Sequence, residues 1–369
     1  MPVKVNLDGG EVWFNLIENE NSVFVLTHES GREIQFDTPL ELDSRFRSKD
    51  FDVYFLAKKN IKESDIYQVY RRESDCRIGW VIPAISLSSD LHDYSANEHF
   101  LRYAYIAVRE SLTRLNDSFY SNSLSSDADT FMFSDVFHEE TALLVLSKET
   151  YGEDFSFDID RVAPSLIKNG YVILTDRNPR EIKHEVQQQS ASDKIYVEEI
   201  SEVIESCSLI AELMNSSFSY EGNSAFKFFY LYQIFELLID EVYKNEQEAL
   251  IDDLVNARGN SGRTKDSLDK INTFMSEKKR IGLLVNKYVD IRGELNGLRQ
   301  ACNRLLVELG RDESSDFEGY FYRLRNFIFH QYRDFPHHCI ELLDDVLAEL
   351  ILIIPSVLYR YRVPENGDS

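Results

Sequence analysis

Residues 225–243 read AFKFFYLYQIFELLIDEVY, and this stretch decides the class of the C-terminal half. It is strongly apolar, it holds neither Gly nor Pro, and it runs far longer than a strand, so it reads as a helix. The sequence around it has the same character. Val197–Met214 precedes it as helix, and Ser267–Met275, Ile281–Tyr288, Glu294–Leu309, Phe317–Gln331 and Cys339–Tyr359 follow. Within Glu294–Leu309, the residues Leu295, Leu298, Cys302, Leu305, Leu306 and Leu309 form one apolar stripe. Several helices joined by short loops predict a helical bundle over residues 195–369.

The first ~90 residues have a different period. Val3–Asn6, Glu11–Ile17, Ser22–His28 and Glu33–Phe36 alternate or cluster β-branched and aromatic residues, with turns at Asp8-Gly9-Gly10 and Ser30-Gly31. Phe51–Ala57, Ile66–Arg71 and Ile78–Ile82 continue as strands. Glu98–Leu115 switches to helical spacing, and a Ser-rich loop follows from Ser118 to Ser126. Ala142–Leu146 and Tyr171–Thr175 read as strands, with a short helix, Ile159–Lys168, between them. The polar stretch from Val186 to Asp193 marks a domain boundary. The expected fold class is therefore α+β: a β-rich mixed α/β domain over 1–190, then an all-α bundle.

A chain of 369 residues fits two domains. Its 64 acidic against 40 basic residues give a formal charge of −24. That balance excludes a general basic coat for nucleic acid, so any such contact is local, and it disfavours adhesion to an anionic membrane. Cys76, Cys207, Cys302 and Cys339 are too widely spaced for a CxxC metal site and read as reduced thiols. The opening MPVKVNLDGGEVW lacks a basic region followed by an apolar stretch, so no signal peptide is expected. Leu350–Ile354 is too short to span a bilayer. The expected location is cytoplasmic.

Several chemical motifs fail on spacing. Gly259-Asn260-Ser261-Gly262-Arg263-Thr264-Lys265 lacks the GxxxxGK[ST] order of a phosphate loop and reads as a helix connection. His138-Glu139-Glu140 would need a second His for a zinc helix, where Ala142 stands instead. Asp127, Asp129 and Asp135 lack the glycine of a calcium loop. His337-His338-Cys339 would point about 100° apart on a helix, which favours surface or capping roles over a shared ion. Neither a metal nor a cofactor is expected.

One constellation remains, Tyr322-Arg323-Leu324-Arg325-Asn326-Phe327-Ile328-Phe329-His330-Gln331-Tyr332-Arg333. With 24 Arg and 8 His in the chain, Arg-x4-His arises roughly 0.5 times by chance and is uninformative alone. Requiring Asn directly after the Arg lowers this to roughly 0.03, which makes the motif worth pursuing. It sits in an aromatic-rich helix that precedes Pro336 and a long apolar helix.

Arg325, Asn326 and His330 resemble the signature motif of the HEPN superfamily, a resemblance that implies cleavage of RNA by its own 2′-hydroxyl, and the residue types suit that reaction. That reaction needs a base, an acid for the departing 5′-oxygen, and positive charge for the phosphorane. His330 can serve as acid or base near neutrality, since an unperturbed imidazole titrates at about 6.5. Arg325 offers a permanently charged fork for phosphate oxygens. Asn326 can orient the imidazole or bind a non-bridging oxygen. The competing reading is a hydrogen-bonded Asn326–His330 pair on a surface helix, with Arg325 capping the bundle.

Arg325, Asn326 and His330 also match, position by position, the R-[NDH]-x3-H signature of the HEPN superfamily, and residues 195–369 resemble its Apea-like branch in particular. Tyr232-Gln233-Ile234-Phe235-Glu236 resembles an early helix of that family, and a β-rich half before the bundle resembles the layout of Apea-like proteins. The resemblance implies a metal-independent endoribonuclease acting on cellular RNA as a toxin or antiphage effector. It implies a homodimer in which two motifs face one cleft and form a composite active site. An N-terminal domain without catalytic signature would then sense a protein or phage-derived trigger. A non-catalytic dimerisation or nucleotide-binding module, serving as sensor or adaptor, is the alternative.

Helix geometry complicates the motif. Positions five apart diverge by ~140°, so Arg325 and His330 do not share a face, whereas Asn326 and His330 do, as do Arg323 and His330. An irregular helix, a reach across a dimer seam, or Arg323 as the phosphate ligand would each resolve this. Arg323 and Arg333 are supporting RNA-binding candidates, and Tyr320, Tyr322 and Tyr332 are candidates for stacking on unpaired bases. Residues 258–304 carry eleven Lys/Arg against five Asp/Glu and suggest a local track for an RNA backbone.

Overall fold

The computed structural model describes residues 2–8, 10–18, 24–117, 120–150, 157–175, 181–186 and 192–364. Residues 187–191 of the expected boundary, Gly9 of the first turn, Ser22 and Val23 of the third strand and residues 118 and 119 of the Ser-rich loop lie outside them. The architecture is α+β, a β-rich N-terminal region followed by an all-helical C-terminal part. The chain divides into two compact units. Met1–Ile159 joins Asn169–Val197, and Asp160–Lys168 joins Glu198–Ser369.

In the first unit, β1 (Pro2–Leu7), β2 (Gly10–Glu18), β3 (Phe24–Thr27) and β4 (Glu33–Asp37) form an antiparallel meander. A second, six-stranded sheet contains β5 (Phe51–Ala57), β6 (Tyr67–Arg71) and β7 (Cys76–Pro83). Helix α1 (Glu98–Leu112) starts where Asn97 accepts from the first-turn amides of His99 and Phe100. Strand β8 (Thr130–Met132) closes the first sheet beside β4, in parallel. Strand β9 (Thr141–Ser147) pairs with β5 and β7, and every one of its residues is buried, as an unbroken apolar run predicts. Strands β10 (Val172–Ile173) and β11 (Lys194–Val197) form the edges, giving the order β10-β5-β9-β7-β6-β11. Inward residues of both sheets, among them Val5, Phe24, Phe36, Phe55, Trp80 and Val145, share one core with Phe100, Ala104 and Val108 of α1. Gly79 of β7 has no substitute, because a Cβ there would meet the Val145 carbonyl at 2.1 Å.

Beyond β5, Lys58 is buried with its ammonium 3.0 Å from Asp65 Oδ2 and over the rings of Tyr67 and Tyr171. Burial pushes the Tyr67 phenol up to about 12, and the Asp65 charge adds to it. That value lies above the ordinary ~10, so the stabilising contribution is complete below about pH 10 and is lost as pH rises towards 12. Tyr67→Phe is expected to flatten this part of the alkaline stability curve. Urea denaturation from about pH 8 to 11.5 measures it, and superimposable curves would refute the assignment.

In the second unit, α2 (Ile159–Lys168) packs Ile167 into the helical core, and Ser165 Oγ donates to the Glu198 carbonyl while accepting its N–H. The sequence order places this helix with the N-terminal half, whereas its packing assigns it to the bundle. The helix expected over Val197–Met214 is shorter. Val197 ends β11, and α3 begins only at Cys207 (Cys207–Glu212). Ile200 and Ile204 are buried at a helical spacing, but the backbone between β11 and α3 pairs elsewhere: Ile200 N–H with the Arg161 carbonyl and Ser201 N–H with that of Leu358. Tertiary hydrogen bonds thus outweigh the local period.

Helix α4 (Ser224–Asn256) extends well past the expected end at Tyr243. Its tail, KNEQEALIDDLVN, carries Leu250, Ile251, Leu254 and Val255 at helical spacing among charged and amide residues. Gly259, at φ +86°, turns the chain into α5 (Ser261–Phe274), where Asn260 accepts from the Arg263 amide. Helices α6 (Glu277–Leu283), α7 (Asn296–Glu308), α8 (Phe317–Gln331) and α9 (Ile340–Arg360) complete the unit. Phe228, Tyr232 and Phe235 of α4, Phe317, Phe321 and Leu324 of α8, and Val346 and Leu350 of α9 belong to one core. No helix among the described residues is long and apolar enough to cross a membrane.

Candidate functional site

Helix α8 carries the Arg-Asn-x-x-x-His motif without a break. Its 3.6-residue period buries Phe317, Phe321, Leu324 and Ile328 and brings Asn326, Phe329 and His330 towards the surface. Arg325 lies at the margin, with only 16% of its side chain exposed, whereas His330 is exposed.

Arg325 and His330 do leave the helix in different directions, yet their polar ends meet. The long arginine stem runs along the helix, and its guanidinium lies 4.8 Å from the ring centre of Phe329, four residues on. From there Nη1–H donates to Asn326 Oδ1 at 3.1 Å, and Nη1 stands 3.5 Å from His330 Nε2. The contact is made within one chain on a regular helix. Side-chain length supplies the reach that the backbone angle denies.

The guanidinium is also gripped from behind. Nη2 donates to Glu236 Oε1 of α4 at 3.4 Å, and Nε lies 3.7 Å from Glu277 Oε1 of α6. Tyr232 contributes its ring face, 5.4 Å from the guanidinium carbon, and its hydroxyl donates to Glu277 Oε1 at 2.6 Å. Burial drives the Tyr232 phenol well above its ordinary range, and the hydrogen bond to Glu277 adds to this, so the phenol is a fixed donor. Gln233 holds the other oxygen of Glu236. Two carboxylates therefore face one guanidinium, and the formal charge of the cluster is −1 with His330 neutral.

The other sequence candidates take different places. Arg323 donates to the carbonyls of Asp312 (2.7 Å) and Glu313 (3.2 Å), so it closes the connection before α8 instead of approaching His330. Tyr320 is 1% exposed and belongs to the core, which removes it as a base-stacking residue. Tyr322 is half-buried and packs against the same core. Tyr332 and Arg333 are exposed just beyond the helix, and the Tyr332 hydroxyl accepts from Asn223 Nδ2 at 3.3 Å. Asn223 also caps α4 by accepting from the amides of Ala225 and Phe226. Asn223→Ala is expected to cost about 1 kcal/mol in chemical denaturation, as the loss of a helix cap does. An unchanged midpoint would show that the cap contributes nothing.

Five of the eleven cations over 258–304 pair with neighbouring acids. Lys270 pairs with Asp253, Arg280 with Asp240, Lys287 with Glu246, Arg292 with Asp290, and Arg304 with Asp345. Lys278 and Lys279 are exposed next to Glu277, beside the motif's own cluster. Among the described residues, no group of three His, Cys, Asp or Glu is arranged to hold a metal ion.

Glu277, and any role for Glu236 or Tyr232, escaped the sequence reading. Residues 232–236 stood out there without a function, and nothing local to position 277 links it to 325. No protein-family model, curated protein or solved structure matches the chain.

Proposed function

We propose that this chain is a metal-independent endoribonuclease of the HEPN type, a cytoplasmic toxin or antiphage effector that cuts cellular RNA. The observation that carries this reading is the meeting of Arg325 Nη1 with Asn326 Oδ1 at 3.1 Å and His330 Nε2 at 3.5 Å on an accessible helix face. An imidazole for proton transfer and a fork for phosphate lie within one phosphate's reach of each other.

In the proposed reaction the ribose 2′-oxygen attacks the adjacent phosphorus and gives up its proton to a base. The P–O5′ bond breaks, and the 5′-oxygen takes a proton from an acid. The products are a 2′,3′-cyclic phosphate and a 5′-hydroxyl. One copy of the motif supplies one imidazole, and the two proton transfers favour a pair of them, so the working form is a homodimer with a composite site. Arg325 stabilises the phosphorane once its fork is turned from Glu236 to the phosphate. The N-terminal domain answers a protein or phage-derived trigger and restrains this step.

Purified protein incubated with total RNA tests the proposal. Cleavage that leaves 5′-hydroxyl ends and persists in EDTA is expected. Cleavage abolished by EDTA, or leaving 5′-phosphates, would overturn it.

A second reading is a non-catalytic dimerisation or nucleotide-binding module that serves as sensor or adaptor. The charge of the cluster favours it, since Glu236 and Glu277 already neutralise Arg325 and the whole chain carries −24. Expression separates the two. A toxic wild type beside a harmless Arg325→Ala chain supports the nuclease, and equal harmlessness supports the module.

A further inference from the structure

Helices α4 and α5 run antiparallel as a hairpin, and the apolar residues they leave outside it lie on one face. Leu250 and Leu254 are half-buried, Ser267 and Phe274 are buried, and Tyr243 stacks on Phe274 at 5.6 Å, which marks the inward side of the pair. The residue after each of these four is exposed and apolar: Ile251, Val255, Leu268 and Met275, with Val255 65% exposed. One residue turns a helix by ~100°, and on two antiparallel helices that turn carries both chains to the same side. The four side chains therefore form one strip. Single apolar residues on a surface need no explanation, but a strip of them marks a contact.

The charges along the strip identify what covers it. Glu248, Ile251, Val255 and Arg258 are all exposed and share one face of α4, since each lies three or four residues from the next. Arg258 continues that turn, with its N–H on the Val255 carbonyl at 3.2 Å. Neither Glu248 nor Arg258 has an ion-pair partner among the described residues. Asp253 is different. It lies ~160° around the helix from both Ile251 and Val255, where it pairs with Lys270 at 3.9 Å. The face thus reads acid, apolar, apolar, base, and it is complementary to itself when reversed. Turned about Asp253 onto a second copy, Ile251 meets Val255 and Glu248 meets Arg258, each pair twice. A parallel apposition would instead set like charges together.

We propose that the outer face of the α4–α5 hairpin binds a second copy of this chain, with the two α4 helices antiparallel and crossing at Asp253, Ile251 on Val255 and Glu248 on Arg258. Such a contact uses the same patch on both copies and closes on two of them. Glu236, which holds Arg325, lies about 25 Å along α4 from Asp253, so the contact is separate from any pairing of two motifs and does not depend on RNA cleavage. From Glu248 to Arg258 the strip is ~15 Å long, which is short for a permanent interface, so a Kd of about 10–100 µM is expected. Sedimentation velocity of the full chain, run from about 2 to 500 µM, reads this association step. Val255→Asp should weaken it about thirtyfold, and Glu248→Arg and Arg258→Glu about tenfold each. The double reversal, Glu248→Arg with Arg258→Glu, restores opposite charges across the seam and should return the step to within about threefold of the wild type. All three positions are exposed, so melting temperatures should stay unchanged. No association step in this range, a step that Val255→Asp leaves as it was, or a double reversal no better than the single ones would overturn the proposal.

Discussion

An H330A chain is expected to cleave RNA about 10²–10⁴-fold more slowly than the wild type while melting at nearly the same temperature. The two halves of this expectation have separate grounds. His330 is exposed on the last turn of α8, and its near neighbour Arg325 keeps hydrogen bonds to Asn326 and Glu236 without it. The stability change should therefore stay within about 0.5 kcal/mol, as for other surface replacements. The rate effect is large because an imidazole in each copy would move a proton, and the variant dimer loses both. Counting new 5′-hydroxyl ends per unit time, beside a circular-dichroism melt, reads the two quantities. Cleavage at wild-type rate in a folded H330A chain would end the catalytic assignment of this residue.

Arg325→Ala should lower cleavage by about 10²–10³-fold, on the scale of losing a charge stabiliser in the transition state. Unlike H330A, it should also destabilise the fold, by about 1–3 kcal/mol. Removing the guanidinium leaves Glu236 and Glu277 facing each other's neighbourhood with no cation, and it strips the face of Tyr232 and of Phe329. Arg325→Lys divides the two effects. A lysine keeps the charge, so most of the stability should return, but it cannot span Asn326, Glu236 and Glu277 with one planar fork, so cleavage should stay low. Chemical denaturation and the same end-counting assay give both numbers. An alanine variant as stable as the wild type would mean that the two carboxylates do not depend on this cation.

The motif was legible because its chemistry is local. Arg325, Asn326 and His330 lie within two turns of one helix, and the apolar spacing of Phe317, Phe321, Leu324 and Ile328 marks that helix from Phe317 to Gln331. The carboxylates behind Arg325 were not legible, because they arrive from α4 and α6 by packing and no spacing joins them to α8. The same division runs through the fold. Phe51–Ala57 declares itself by β-branched and aromatic content, whereas β8 and β11 are short and owe their existence to parallel partners far away in sequence. Between β11 and α3 the failure has the opposite origin. Ile200 and Ile204 have the period of a helix, but their segment spends its backbone donors on Arg161 and Leu358.

The placement of α2 governs how this protein can be dissected. Because Asp160–Lys168 belongs to the bundle while Asn169–Val197 returns to the β-rich unit, the polypeptide crosses between the two units three times. A recombinant fragment begun near residue 195 would leave behind Ile167 and the hydroxyl that secures Glu198, and would expose the apolar floor they cover. Autonomous expression of the helical half requires that short helix to be grafted back, for instance through a linker to the new start. Poor yield of the simple truncation would then report a missing structural part and not a toxic product.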